Sequence, residues 1–328
     1  MSGTRETRRT GQTGAMSDSQ AIYRRRRAAA AGVLVALLAA SVLAMRSCGA
    51  EERTAAADPP RLSPPPLPQL PGGGRTIFPR HRVVAFYGAP QSERLGILGI
   101  GDPGDAARKL ARVARSYERR TRPVLKAFEL ISTIANADPG ADGMYRTHQS
   151  HATIERYLRA ARKAKALLLL DIQPGRDDFL SEAQRLNRWL LEPDVGIALD
   201  PEWHVRDDEV PGQKIGSVTA DEVNEVATYV SNIVVKHHLP EKLFVIHQFT
   251  QDMITEKERV GRPPGLAVTM NVDGFGDRSN KVSKYEAFTS EAARFHDGFK
   301  LFYEEDTNLM SPAAVLSLGP PPDLVIYE

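Results

Sequence analysis

Cysteine is nearly absent: Cys48 is the single one in 328 residues, which excludes an intramolecular disulfide and a cysteine-ligated zinc site. There is also little charge excess. Lys and Arg number 43 against 41 Asp and Glu, a formal net of +2, and so small a balance argues against a protein built to bind nucleic acid. No internal repeat and no heptad run is visible. A glycine-rich phosphate loop is missing as well, since Gly96, Gly99 and Gly101 have the wrong spacing for either nucleotide fingerprint and no lysine follows them. With 41% hydrophobic and 26% charged residues, wholesale disorder and a polytopic membrane architecture are excluded too. The shortage of cysteine leaves export open, because a domain large enough to bury a proper core does not need disulfides.

Only one long apolar run is present. Residues 28–45, AAAAGVLVALLAASVLAM, follow the block Arg24 to Arg27 and precede Arg46, Glu51 and Glu52. Such a run is at the lower limit for a spanning helix, and the arginines predict a cytoplasmic tail over 1–27 with everything beyond Cys48 outside. A cleaved signal is the rival, with Val42-Leu43-Ala44 as a cleavage site and Met16 as an alternative start. Lipidation of Cys48 is disfavoured by Arg46. Residues 46–79 are rich in Ala, Pro and Gly, including Pro64 to Pro66 and Gly72 to Gly74, and read as a disordered stalk of extended and flexible segments. Single-pass membrane attachment with the C-terminal domain outside, or secretion after cleavage, is the expected location.

Residues 80–328 have the size of one (β/α)8 barrel. Short apolar runs alternate with amphipathic ones: Val83–Tyr87, Ala127–Thr133, Leu167–Ile172, Val195–Leu199, Leu243–Phe249, Leu266–Val272, Phe299–Tyr303 and Leu324–Tyr327. Eight strands are predicted, apolar on both faces as buried parallel strands are. Helices are expected over Asp105–Arg120, Thr153–Lys165, Asp177–Leu191, Asp252–Arg259 and Lys281–Phe295. Thr219 to Glu222 forms a capping box, and Ser311-Pro312 an N-cap followed by proline. The last strand has no closing helix after it. An open doubly wound sheet has the same alternation, and the count of eight favours the TIM-type barrel. The basic stretch with Arg108, Lys109, Arg112, Arg115, Arg119 and Arg120 reads as a solvated face.

A barrel carries its chemistry at the C-terminal ends of its strands, and there the chain is acidic. Tyr87, Glu129, Asp171, Gln173, Asp200, Glu202, His247, Gln248, Asn271, Asp273, Glu304, Glu305, Asp306 and Glu328 fall in those places. Paired carboxyls suit glycoside chemistry, in which one protonates the leaving oxygen and a second group attacks or stabilises the sugar carbon. They also suit a divalent cation, which would require three carboxylate or imidazole groups within about 2 to 2.5 Å of one point. The pairs His148/His151 and His237/His238 offer no convincing set of three ligands, so neither a metal nor a cofactor is expected.

Strand four, Gly196-Ile-Ala-Leu-Asp200-Pro-Glu202, resembles the family 18 glycoside hydrolase signature, an apolar strand ending in Asp-x-Glu, and Met270-Asn-Val-Asp273 is similar to that family's Met-x-Tyr-Asp. Val195 and Ala198 replace acidic or amide residues of the family, and Val272 replaces its tyrosine. The resemblance implies Glu202 as the acid, tuned by Asp200. Glu304 or Glu305 is then the nucleophile or base, as in the many barrel glycosidases with acids at strands four and seven. Tyr87, Glu129, Asp171, Gln173, His247, Asn271 and Asp273 would position hydroxyls or water, with Trp203 and Tyr303 stacking on a sugar face. The expected function is an exported, membrane-tethered glycoside-hydrolase-like barrel acting on a cell-envelope or extracellular polysaccharide. The alternative is a non-catalytic barrel that binds an envelope glycan or protein.

Overall fold

A computed structural model describes residues 66–289 and 294–328. Eight parallel strands form its core: β1 (Arg82–Gly88), β2 (Val124–Ala135), β3 (Ala166–Ile172), β4 (Val195–Leu199), β5 (Lys242–Gln248), β6 (Leu266–Val272), β7 (His296–Leu301) and β8 (Leu324–Tyr327). Each pairs with the next, and β1 pairs with both β2 and β8. The sheet is therefore closed, which decides for the barrel over the open sheet. Val83 lies opposite Leu324 and Ala85 opposite Ile326, so the phase of β1 continues that of β8.

Strict alternation separates the two faces of this sheet. Val83, Ala85, Ala127, Leu167, Leu169, Ala198, Leu243, Val245, Ala267, Leu324 and Ile326 share the inner core. Val84, Phe86, Phe128, Leu168, Leu170, Ile197, Phe244, Ile246, Val268, Phe299 and Val325 meet the surrounding helices. Small inner residues are required where strands approach closely. A Cβ at Gly298 would lie 2.5 Å from Asn271 Oδ1, so only glycine leaves room for that amide inside the barrel.

The outer helices are α1 (Pro103–Tyr117), α2 (His151–Lys163), α3 (Phe179–Arg185), α4 (Asn187–Leu190), α5 (Ala220–Lys236), α6 (Arg278–Thr289) and α7 (Pro312–Leu316). The capping box at Thr219 and Glu222 starts α5, and Ser311 caps α7. The basic residues of α1 are exposed, whereas Leu110, Ala114 and Tyr117 are buried. One expected helix does not form. Residues 252–259 make a two-residue strand and a single 3₁₀ turn, and the expected helix over 177–191 divides at Leu186, where ψ rises to 2°.

Strand seven begins three residues earlier than its apolar run suggested and ends at Leu301 rather than Tyr303. Its first turn of sequence, His296-Asp-Gly298, is polar or small and hides the strand. The stalk boundary expected at residue 79 also moves. Leu70, Ile77 and Phe78 are buried and pack with the inner residues of the barrel, closing its N-terminal end. The Arg75 guanidinium donates to the carbonyls of His238 and Leu239 at 3.0 and 2.9 Å, and the Phe78 ring sits 4.4 Å from that of His296. The tail over 1–27, the apolar segment 28–45 and the stalk through residue 65 lie outside the described residues. No helix among the described residues is long and apolar enough to cross a membrane.

Candidate active site

Continuing the inner phase upward replaces small apolar residues by polar ones at the C-terminal end of the barrel. Tyr87, Glu129, Asp171, Gln173, Asp200, His247, Asn271, Asp273 and Lys300 are all buried. They form two tiers. In the lower one His247 bridges two carboxylates, with Nδ1 2.9 Å from Asp273 Oδ2 and Nε2 2.8 Å from Glu129 Oε1. Asp171 Oδ1 lies 3.9 Å from the same Nε2. The Tyr87 hydroxyl donates to Asp171 Oδ2 at 3.2 Å and accepts from Gln173 Nε2 at 3.0 Å. The Asn271 amide donates to Asp273 Oδ1.

Lys300 rises from β7 into the middle of this ring. Its Nζ lies 2.8 Å from Glu328 Oε2, 3.3 Å from Asp273 Oδ2 and 3.7 Å from the centre of the Tyr87 ring. Above it opens a cavity of about 280 Å³ whose walls include Asp200, Glu202, Trp203, Phe249, Phe275 and Phe302. A larger groove of about 890 Å³ beside Arg176 and Lys214 contains none of the inner-barrel carboxyls. The smaller cavity is therefore the one that reaches the chemistry.

Burial would neutralise Lys300, but Asp273, Glu328 and Asp200 outweigh it and hold the ammonium charged far above neutrality. The same balance keeps His247 protonated, burial being overcome by Asp273 and Glu129. Asp273 is the counter-ion: burial pushes its carboxyl up, yet His247 and Lys300 hold it down at about 2. Asp171 is raised by burial and then by Asp200. Burial lifts Asp200 to about 6, and burial together with the Asp200 charge lifts Glu202 to about 8. At neutral pH the mouth thus presents a carboxylate at Asp200 beside a carboxylic acid at Glu202.

Asp200 and Glu202 were expected to face the mouth as alternate residues of a strand. Both line the cavity by a different route, since β4 ends at Leu199 and Pro201–Trp203 form a 3₁₀ turn. Trp203 also lines the cavity, whereas Glu129, Asp171, His247 and Asn271 lie in the tier beneath it. Of the residues expected after strand seven, only Glu305 reaches the cavity. Because β7 ends at Leu301, the chain turns outward, Tyr303 is 40% exposed and stacks 5.4 Å from Tyr327. Tyr327 faces α1, its hydroxyl 2.6 Å from that of Tyr117. Glu304 is exposed and borders none of the cavities described, and Glu305 is an exposed residue of the rim. Tyr303 and Glu304 thus lie away from the cavity and Glu305 borders it.

Lys300 was missed as a site member, along with the aromatic wall of Phe249, Phe275 and Phe302, and Glu328 was expected at the mouth but given no role. The signal for both charges was present. Gly298 and Lys300 share one phase of β7, and Leu324, Ile326 and Glu328 share one phase of β8, so the alternation itself aims Lys300 and Glu328 inward.

No family model and no curated protein matches the chain. Among solved structures it is similar to a sialic acid aldolase of Ruminococcus gnavus, at 14% identity over 76% of this chain and 68% of that one, with a TM-score of 0.37. An oxaloacetate acetylhydrolase in complex with the product oxalate matches at 12% identity over 75% of this chain and 68% of that one, with a TM-score of 0.35. The expected family 18 resemblance has no matching family model behind it, which corrects the polysaccharide-acting function built on it. The site agrees with the correction, because the place of the strand-seven acid is taken by the Lys300 ammonium. The segment 28–45, on which the membrane-tethered reading rests, lies outside the described residues.

Proposed function

We propose that the barrel mouth is an acid–base catalytic site for a small, uncharged polar molecule, in which Glu202 donates a proton to a substrate oxygen. The observation that carries this reading is the pair formed by Asp200 and Glu202, two carboxyls that line one cavity, Asp200 raised to about 6 by burial and Glu202 to about 8 by burial and the Asp200 charge. Between those values one group is ready to give a proton and its neighbour to take one.

The surroundings define what the site accepts. Asp200, Asp273, Glu305 and Glu328 outnumber Lys300 and Arg94 among the charges that border a cavity of about 280 Å³ and disfavour anions. The volume is small against the roughly 300 to 1,000 Å³ of drug-sized ligand pockets. Phe249, Phe275 and Phe302 offer an apolar wall on one side, with Phe275 rings 6.1 and 5.8 Å from those of Phe249 and Phe302. Lys300 is not a nucleophile here, for a protonated amine lacks the lone pair that attack on a carbonyl requires. Its fixed charge instead stabilises negative charge that develops on a substrate oxygen.

The test is turnover of a panel of small hydroxylated and carbonyl compounds by the full chain across pH. The reading expects a bell-shaped kcat/KM with limbs near 6 and 8, and a fall of about 10²- to 10⁴-fold in Glu202→Gln. Ligand binding by both proteins with no turnover by either would overturn it.

A further inference from the structure

We propose that Glu129, Asp171 and His247 form a binding site for a first-row divalent cation, of the Mn²⁺ or Zn²⁺ class, in the tier beneath the mouth. Each of the three side chains offers a donor atom, and those atoms all lie within 4.8 Å of one another. A cation about 2.1 Å from each donor at tetrahedral or octahedral angles needs donors roughly 3.0 to 3.5 Å apart. The distances from His247 Nε2, 2.8 Å to Glu129 Oε1 and 3.9 Å to Asp171 Oδ1, bracket that range.

Two independent observations point to a ligand. Glu129 Oε2 and Asp171 Oδ1 are buried atoms with no hydrogen-bond partner in the protein, on side chains that are 0% exposed. Buried carboxylate oxygens in that state are costly, and Asp171 Oδ1 is the atom directed at His247 Nε2. The second observation is the Asp273 carboxylate, 2.9 Å from His247 Nδ1. A carboxylate that accepts the Nδ1 proton fixes the imidazole so that Nε2 faces the two free oxygens, the arrangement that orients a metal-binding histidine. On binding, the cation replaces the proton that Nε2 shares with Glu129, and that proton leaves to solvent. One imidazole with two carboxylates suits Mn²⁺ or Zn²⁺ better than Ca²⁺, which takes six to eight oxygens. The Tyr87 hydroxyl on Asp171 Oδ2 links the cation to the floor of the mouth.

The experiment is elemental analysis of the purified full chain, with thermal unfolding of chelator-treated protein in MnCl₂ or ZnCl₂ alone. The expected result is one cation per chain and a Tm raised by roughly 5 to 10 °C at a hundredfold excess over Kd. Asp171→Asn, which keeps the shape and removes one ligand charge, is expected to lose both, while substitution of the exposed His237 leaves both intact. Wild-type protein that retains no cation and shows no shift would overturn the proposal. So would a shift that persists undiminished in both Asp171→Asn and Glu129→Gln, since the cation would then sit elsewhere.

Discussion

Replacing Glu202 by glutamine removes a carboxyl that burial and Asp200 keep protonated to about pH 8 while preserving its shape. The unfolded chain ionises the same group near 4.3. Between these values the folded state binds one more proton, so this group's contribution to stability falls as pH rises and is smallest above 8. Glu202→Gln is therefore expected to be more stable than wild type at pH 8 by on the order of 1 to 3 kcal/mol, with the gap closing towards pH 4. Urea unfolding at the two pH values reads the difference, and an equal gap at both would exclude a raised acid. Lys300→Met acts in the opposite sense. It leaves Asp273 and Glu328 facing each other without their ammonium, and a loss of about 3 to 5 kcal/mol is expected at neutral pH. At acid pH, where those carboxyls take up protons, the loss measured by the same method should shrink.

At the scale of single elements, the chain before β1 is a packed part of the barrel. A protein beginning at Arg80 lacks Leu70, Ile77 and Phe78 under the inner core and is expected to melt well below one beginning at Pro66. Removing only the Phe78 ring by Phe78→Ala should cost about 3 to 5 kcal/mol, which chemical unfolding measures. Leu70 was hidden in the sequence because it stands among Pro68, Pro71 and Gly72 to Gly74, and composition there outweighs one or two apolar residues. The strands were legible for the opposite reason. Val195–Leu199, Leu266–Val272 and Leu324–Tyr327 are predominantly apolar runs with turn residues around them, and each forms over the residues expected. Strand seven was misread because its polar start looks like a loop, and an end set at Tyr303 instead of Leu301 put Tyr303 in the strand and Glu304 at its tip. The aromatic wall was illegible, since Phe249, Phe275 and Phe302 lie on loops just beyond strand ends, where no periodicity points inward.

Across the whole molecule, several buried groups bind protons that the unfolded chain releases. Asp200 at about 6, Asp297 at about 7 and Glu202 at about 8 do so from pH 4 upward. His247 joins them above its ordinary value. Each of these makes folding less favourable as pH rises. Lys242, which burial lowers to about 7, works the other way only from that pH upward, where the folded chain has already lost its proton. Asp273 and Asp323 are lowered, so their contributions are complete above about 4 and do not change the slope over the window. Scanning calorimetry is therefore expected to give a higher Tm at pH 5.5 than at pH 7. The two tryptophans of the chain divide unequally over this structure. Trp189 is 2% exposed and donates its indole N–H to Glu155, whereas Trp203 borders the cavity. The protein thus carries an optical reporter at its own mouth: with Trp189→Phe, the remaining tryptophan fluorescence comes from a residue that lines the cavity, and its emission is expected to register an occupant without a label.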